Sequence, residues 1–522
     1  MKKKKMLAVL LTAVLLLSAM PAYSLAAEGE VDVNAENFPD EAFRSYVSEN
    51  IDKDQNGSLS QDEINLVFFL NVGKKGISDL TGIEYFTKLT SLSCNNNNIT
   101  SLDLSKNTAL VGLACQYNKL TELDLSQNSK MEAVTANDNE IENIKFNENA
   151  PIENIELMNN KLTSIEIVNA DKLEFLSLDS NNLGTLNLEG CVNLTKLYCR
   201  NNQLTSLDLS DCNKLDFFNC TNNKLTELNM GSSQVLTNFL CDKNQLTSLD
   251  LSKNTGLVSV MCRNNNLTNL NVNNLDKLTD LDCRSNQLSS LDLSDNTALS
   301  FLNCNDNKLS NIDLSKNKNM ESLYCMNNSL IDIDVTNNTN LIDFYCDKNK
   351  ITSLDVSNNI KLEDLSCALN NITSLDLSKN TALKSLSGYG NQYTIEIVNG
   401  KFDLTTLPGS FDVSKASDWY GGSVEGNILT VRDGISNVDY NYDFGNGKSD
   451  SFTLKVVRKD DVVEGDVNMD GVMNINDATA IQMYLAGISL EKFNADAADI
   501  NNDGDISILD VTALQIKLSE SN

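Results

Sequence analysis

Three twelve-residue stretches place side-chain oxygens at positions 1, 3 and 5, a glycine at 6, a backbone carbonyl at 7 and an acid at 12. At that spacing a chain can wrap a hard cation in oxygen donors, the glycine permitting the sharp turn. The first stretch offers Asp52, Asp54, Asn56, Gly57, the Ser58 carbonyl, Ser60 and Glu63. The second offers Asp466, Asn468, Asp470, Gly471, the Val472 carbonyl, Asn474 and Asp477, and the third Asp499, Asn501, Asp503, Gly504, the Asp505 carbonyl, Ser507 and Asp510. An all-oxygen set rich in carboxylates suits Ca2+, so we expect one ion near the N-terminus and two near the C-terminus.

The first loop satisfies the EF-hand pattern in full. The other two lie 33 residues apart, end in Asp where an EF-hand has Glu, and run into amphipathic helices at 478–486 and 511–518 without a long entering helix. This duplicated half-motif, residues 466–522, resembles the type I dockerin of cellulosome-like assemblies. The resemblance implies a partner, the cohesin module of a scaffolding protein. It also implies that cohesin is read by Ile475, Asn476, Met483 and Tyr484 in one half and by Ile508, Leu509, Ile516 and Lys517 in the other. The halves are not identical at these positions. Unpaired acids repel until a cation bridges them, so calcium binding here is partly folding.

Other chemistry is limited by composition. There is no histidine, which removes histidine-dependent triads and His-containing zinc sites. Lys2–Lys5, the apolar run 6–20 and Ser24-x-Ala26 form a secretory signal, with cleavage expected after Ala26. Its removal takes away four lysines and no acid, moving the formal charge from −31 to −35. Nucleic-acid binding is therefore disfavoured. No later membrane span and no C-terminal anchor are expected, and a secreted monomer is expected. Of thirteen cysteines, eleven share one repeat position (Cys94, Cys115, Cys199, Cys220, Cys241, Cys262, Cys283, Cys304, Cys325, Cys346, Cys367), while Cys191 and Cys212 lie elsewhere. The eleven replace an inward apolar residue, held by Leu157 and Leu178 in two copies, and read as buried reduced thiols.

The elements that carry these residues follow from periodicity. From Ile99 to Gln392 the chain repeats every 21 residues in fourteen copies, preceded by one 22-residue copy from Ile77. Leu-x-x-Leu-x-Cys-x-x-Asn-x-Leu, as at Leu110–Leu120, fits a short strand and tight turn that bury leucines only when stacked. The invariant asparagine, Asn118 to Asn391, reads as a ladder bonding adjacent coils through its amide. An acidic leader (27–37) precedes a helical cap (38–76). There Pro39 opens a first helix, Ala42–Val47 continues it, and Ile64–Leu70 supplies a second apolar stretch. Residues 393–457 alternate like a small Ig-like β domain, expected as a sandwich from its runs and glycine turns, with Trp419 in its core and a linker at 458–465 before the C-terminal module. The fold class expected is an α/β leucine-rich-repeat solenoid, mostly short parallel β-strands, with a helical EF-hand-like N-cap, a small β-sandwich and an all-α calcium-binding dockerin.

Residues 77–392 resemble the cysteine-containing 21-residue leucine-rich repeats of internalin-like bacterial surface proteins, whose concave sheet generally binds partners. Side chains flanking each inward strand residue must point outward. They include Phe175, Tyr198, Arg200, Phe217, Leu240, Met261, Arg263, Arg284, Phe301, Tyr324, Met326 and Tyr345, a composition typical of interface hot spots. Asp242, Asp280, Asp282 and Asp347 accompany them, whereas early copies show Gly112, Ala114 and Ala133. The leading expectation is a secreted, non-catalytic protein that grips a protein or glycan with the solenoid and plugs into a cohesin-bearing scaffold in a polysaccharide-degrading setting. Competing readings are an accessory or catalytic subunit acting on polysaccharide, and an adhesin or inhibitor directed at a host protein. The recurring Asp of "LDLS" belongs to the repeat frame, which argues against a catalytic acid/base pair.

Overall fold

The computed structural model describes residues 30–459, 465–490 and 492–520. The expected signal sequence (1–26) and most of the expected linker lie outside them. The N-terminal segment holds two helices, α1 (Glu41–Asn50) and α2 (Gln61–Asn65), and a two-stranded antiparallel ribbon of β1 (Val31–Asp32) with β2 (Ser58–Leu59). Asp40, not Pro39, caps α1, its carboxylate accepting from the Phe43 amide at 3.0 Å, so the proline precedes the cap and lies outside the helix. The apolar stretch after Ile64 also departs from expectation. Helix α2 stops at Asn65, and Phe69–Asn71 instead forms the first strand of the long sheet.

That sheet has 16 parallel strands in chain order. Its register advances by one repeat at each step, Phe69 pairing with Ser91, then Phe175 with Lys196 and Lys196 with Phe217. In these three-residue strands the central side chain is buried, except Leu386 of the last strand, and the flanking ones are mostly half-exposed. The buried row and the cysteines form one continuous core with the cap. All thirteen cysteines are buried free thiols.

The asparagine row bonds as its position demands. Asn244 donates through Nδ2 to the Cys220 and Cys241 carbonyls, and its Oδ1 accepts from the Leu225 amide, each at 3.0 Å. The residue before each ladder asparagine, from Asn96 to Leu369, has φ between 53° and 59°, a left-handed turn that Asn and Asp adopt most easily. Gly390 takes this place in the last coil.

A second buried row was not evident from the repeat frame. Asn107, Asn128, Asn254, Asn296, Asn317, Asn338, Asn359 and Asn380 donate to carbonyls of the preceding coil, as Asn317 does to Leu293 at 3.1 Å and Asn296 at 2.8 Å. Their Oδ1 atoms have no donor among the described residues. Cys191, Cys212 and Ser233 occupy the same position in three intervening coils.

Residues 392–458 form a four-stranded and a three-stranded sheet. They share the solenoid core. The Tyr440 hydroxyl donates to the Thr373 carbonyl at 2.6 Å, and the Leu377 amide donates to the Phe444 carbonyl at 2.7 Å, so this domain closes the last coils. Trp419 is half-buried, stacked on Tyr440 at 4.7 Å. The C-terminal module contains helices α3 (Ile475–Leu485), α4 (Ala495–Ala498) and α5 (Ile508–Glu520) around a separate core of Val467, Ile481, Ile500, Val511 and Leu514.

Candidate calcium loops and ligand face

In the N-terminal loop, Asp52 is 3% exposed and accepts from the Asn56 and Gly57 amides at 3.2 and 3.0 Å. Glu63 forms a capping box with Ser60 and accepts from the Lys53 amide at 2.6 Å. Carboxylate oxygens of Asp52, Asp54 and Glu63 lie within 4.8 Å of one another, a spacing one cation can bridge. The Asn56 side chain accepts from the Ser58 amide, and the Ser58 hydroxyl donates to Asp32 of β1, which fastens the leader across the loop.

The C-terminal loops repeat this turn. Asp466 accepts from the Asp470 and Gly471 amides at 3.0 and 2.7 Å, and Asp499 from Asp503 and Gly504 at 3.1 and 3.0 Å. Buried Asp477 accepts from the Asn468 and Asn474 amides, and buried Asp510 from Asn501 and Ser507. Burial raises the Asp510 pKa, but amide and hydroxyl donors outweigh it and hold the carboxyl below its ordinary value. Among the described residues, three carboxylates come within 4.8 Å of one another only in the N-terminal loop. Asn468 and Asn501 replace an acid in the other two, and Asp at position 12 is one methylene shorter than Glu. The donor sets, carboxylates with side-chain amides and hydroxyls, remain all-oxygen and fit calcium.

Loop positions 10 and 11 open α3 and α5. Ile475, Tyr484, Ile508, Leu509 and Ile516 are exposed apolar side chains, and Asn476 is exposed beside them. Met483 and Lys517 are half-buried. Tyr484 stacks on Phe493 at 4.3 Å, which fixes its ring.

On the sheet's open face the aromatic residues gather into two trios. Tyr198 lies between Phe175 at 5.6 Å and Phe217 at 4.9 Å, and Tyr324 between Phe301 at 5.7 Å and Tyr345 at 5.1 Å. Leu240, Met261 and Met326 are half-buried on the same face. Between the trios the charges pair: Arg263 Nε donates to Asp242 at 2.9 Å, and Arg284 lies 3.7 Å from Asp282. Arg200 pairs with Asp179 at 2.7 Å; burial raises the Asp179 pKa and the arginine only partly offsets it.

Residues 464–519 match the family model described as the dockerin type I domain. Over 71 residues the chain is 41% identical to Internalin J of Listeria monocytogenes serotype 4b, an alignment taking in 14% of this chain and 8% of that protein. The solved functional domain of InlJ from Listeria monocytogenes, described as including a cysteine ladder, superposes with a TM-score of 0.63 at 29% identity. It covers 83% of this chain and 100% of that one. The chain joins an internalin-like leucine-rich-repeat solenoid to a type I dockerin. Dockerins of this type bind calcium and imply attachment to a cohesin, and the two modules together suggest an extracellular or surface-associated protein. No helix among the described residues is long and apolar enough to cross a membrane.

Sequence reasoning named the arginines but missed their partner geometry. Asp179 and Asp242 stand one coil before Arg200 and Arg263, and each accepts both the backbone amide and the guanidinium of that arginine. The signal was available as an Asp-to-Arg step of 21 residues at one repeat position.

Proposed function

We propose that this is a secreted, non-catalytic recognition protein: its solenoid binds a protein ligand on the open, concave face, and its dockerin docks onto a cohesin of a scaffold in a cellulosome-like, polysaccharide-degrading setting. The observation that carries the docking half is the matched exposure of Ile475 and Ile508 at equivalent positions of two duplicated loops. Two Ca2+ ions held by Asp466, Asn468, Asp470, Val472, Asn474 and Asp477, and by Asp499, Asn501, Asp503, Asp505, Ser507 and Asp510, order these helices. A third sits in the N-terminal cap on Asp52, Asp54, Asn56, Ser58, Ser60 and Glu63.

Ring geometry favours protein over glycan. A sugar stacks on an open ring face, whereas Tyr198 and Tyr324 each have one face stacked on a neighbouring ring and a second ring tilted against them on the other side. Clustered rings beside Met and Arg suit interdigitating protein side chains.

Calorimetry of the full chain with a type I cohesin tests the docking half. Binding is expected in calcium and at least about 100-fold weaker, about 2.8 kcal/mol, with a chelator; calcium-independent binding refutes the assignment. For the solenoid, crosslinking captures a protein that is lost on Phe217→Ala with Tyr324→Ala. Sugar release from polysaccharide by the full chain would overturn the non-catalytic reading.

A further inference from the structure

Six arginines serve a chain in which acids outnumber bases 72 to 41, so a guanidinium without a carboxylate partner is the exception here. Four are taken up internally. Arg44 donates to the Phe38 and Pro39 carbonyls, and Arg200, Arg263 and Arg284 pair with aspartates. The other two, Arg432 and Arg458, form no ion pair among the described residues, and both line one cavity of about 630 Å3 in the β domain. It spans the two sheets, since Thr430 belongs to a strand of the three-stranded sheet (Ile428–Val431) and Arg458 ends one of the four-stranded sheet (Lys448–Arg458). The Arg432–Ile435 turn forms part of the wall, its Ile435 amide donating to the Arg432 carbonyl at 3.3 Å and Gly434 at φ 72°. The same carbonyl accepts from Arg458 Nη2 at 2.7 Å, which fixes that guanidinium against the turn. The cavity is open to solvent: Arg432 is exposed, Arg458 half-buried, and nothing stands within 4 Å of where a Gly434 side chain would begin.

We infer that this cavity is a binding site for a sugar acid, a polyhydroxylated ligand with one carboxylate that Arg432 and Arg458 receive. Guanidinium forks match carboxylate and phosphate oxygens alike, so the remaining wall decides between them. Asp433 lies in that wall, and two arginines against one aspartate leave a single positive charge. One carboxylate cancels it, whereas a phosphate dianion overshoots and is repelled by Asp433. Asn399, Thr430 and Asp433 bring groups that donate and accept, as ligand hydroxyls require. No aromatic residue lines the cavity among the described residues, so a neutral sugar has no ring to stack on and little to hold it. The volume falls in the range of small-ligand sites. The inference stands apart from the solenoid and dockerin readings, and gives the β domain a role beyond closing the last coils.

Saturation-transfer NMR titration of the full chain with methyl glucuronide, its neutral methyl glucoside counterpart and, as a competitor, inorganic phosphate tests this. The glucuronide is expected to bind at least about tenfold more tightly than the glucoside, the scale of one charge-assisted hydrogen bond. Its affinity should fall by about as much in Arg432→Gln and in Arg458→Gln. The Arg432 side chain makes no bond among the described residues, so Arg432→Gln should leave the thermal midpoint unchanged and report the ligand contact alone. Asp433→Asn should make phosphate the better competitor. Equal binding of glucuronide and glucoside, or glucuronide binding unchanged in both arginine variants, overturns the inference. Phosphate that outcompetes the glucuronide on the unaltered chain also overturns it, leaving a bare oxyanion site in place of a sugar-acid one.

Discussion

The phenol of Tyr440 reaches out of the C-terminal β domain to the Thr373 carbonyl, 67 residues earlier in the solenoid, at 2.6 Å. Both residues are buried, so the bond lies in a shared interior. The β domain thereby covers leucines of the last coils, which would otherwise end the stack exposed to water. Tyr440→Phe should destabilise the solenoid end by about 1 kcal/mol, read as a lower denaturation midpoint. A chain cut after Gln392 should self-associate in size-exclusion chromatography, and a monodisperse monomer would contradict the capping role.

The two asparagine rows differ in what they satisfy. Asn244→Ala strips the Cys220 and Cys241 carbonyls of a donor and the Leu225 amide of its acceptor, and should cost about 3 kcal/mol or more. Asn317→Ala strips two carbonyls but also removes an oxygen that has no partner, so its cost should be smaller. Chemical denaturation of the two variants side by side checks the order.

Burial pushes the Cys94 and Cys367 thiols from 9.0 up to about 12 and Cys191 to about 11. Below the ordinary value, folded and unfolded thiols are both protonated and stability is untouched. Between 9.0 and about 12 the unfolded thiols ionise first, so stability should fall as pH rises through that window. Denaturation midpoints at about pH 8 and about pH 11 measure the loss. Native protein at about pH 8 should react slowly with a thiol reagent until denatured.

Calcium titration by calorimetry separates the three loops. Glu63→Gln should lower the stoichiometry by one ion while leaving cohesin binding intact. Asp510→Asn should also remove one ion, and should abolish most of the cohesin affinity because that carboxylate ties the start of α5 to its loop. Equal ion counts in wild type and both variants would refute the assignment.

The solenoid was legible because a strict period makes each inward position announce itself fourteen times. The second asparagine row was not, because Cys191, Cys212 and Ser233 interrupt it and hide its periodicity. Phe69–Asn71 read as helix because Leu66, Phe68, Phe69 and Leu70 form an undifferentiated apolar run; only pairing with Ser91–Ser93 makes it a strand. The ligand-face residues were found by alternation, but their pairing across coils needed the register. The β domain looked like a separate unit, since nothing in its own residues states that Tyr440 faces Thr373.

The constant register of the 16-stranded sheet has one more consequence. Each coil offers the next nearly the same donors, acceptors and leucines, so backbone pairing alone cannot tell one neighbour from another. A folding chain can mis-thread by a whole coil at little energetic penalty, and a gene can gain or lose one by unequal recombination without creating a clash. Only the two unlike ends define where counting starts and stops.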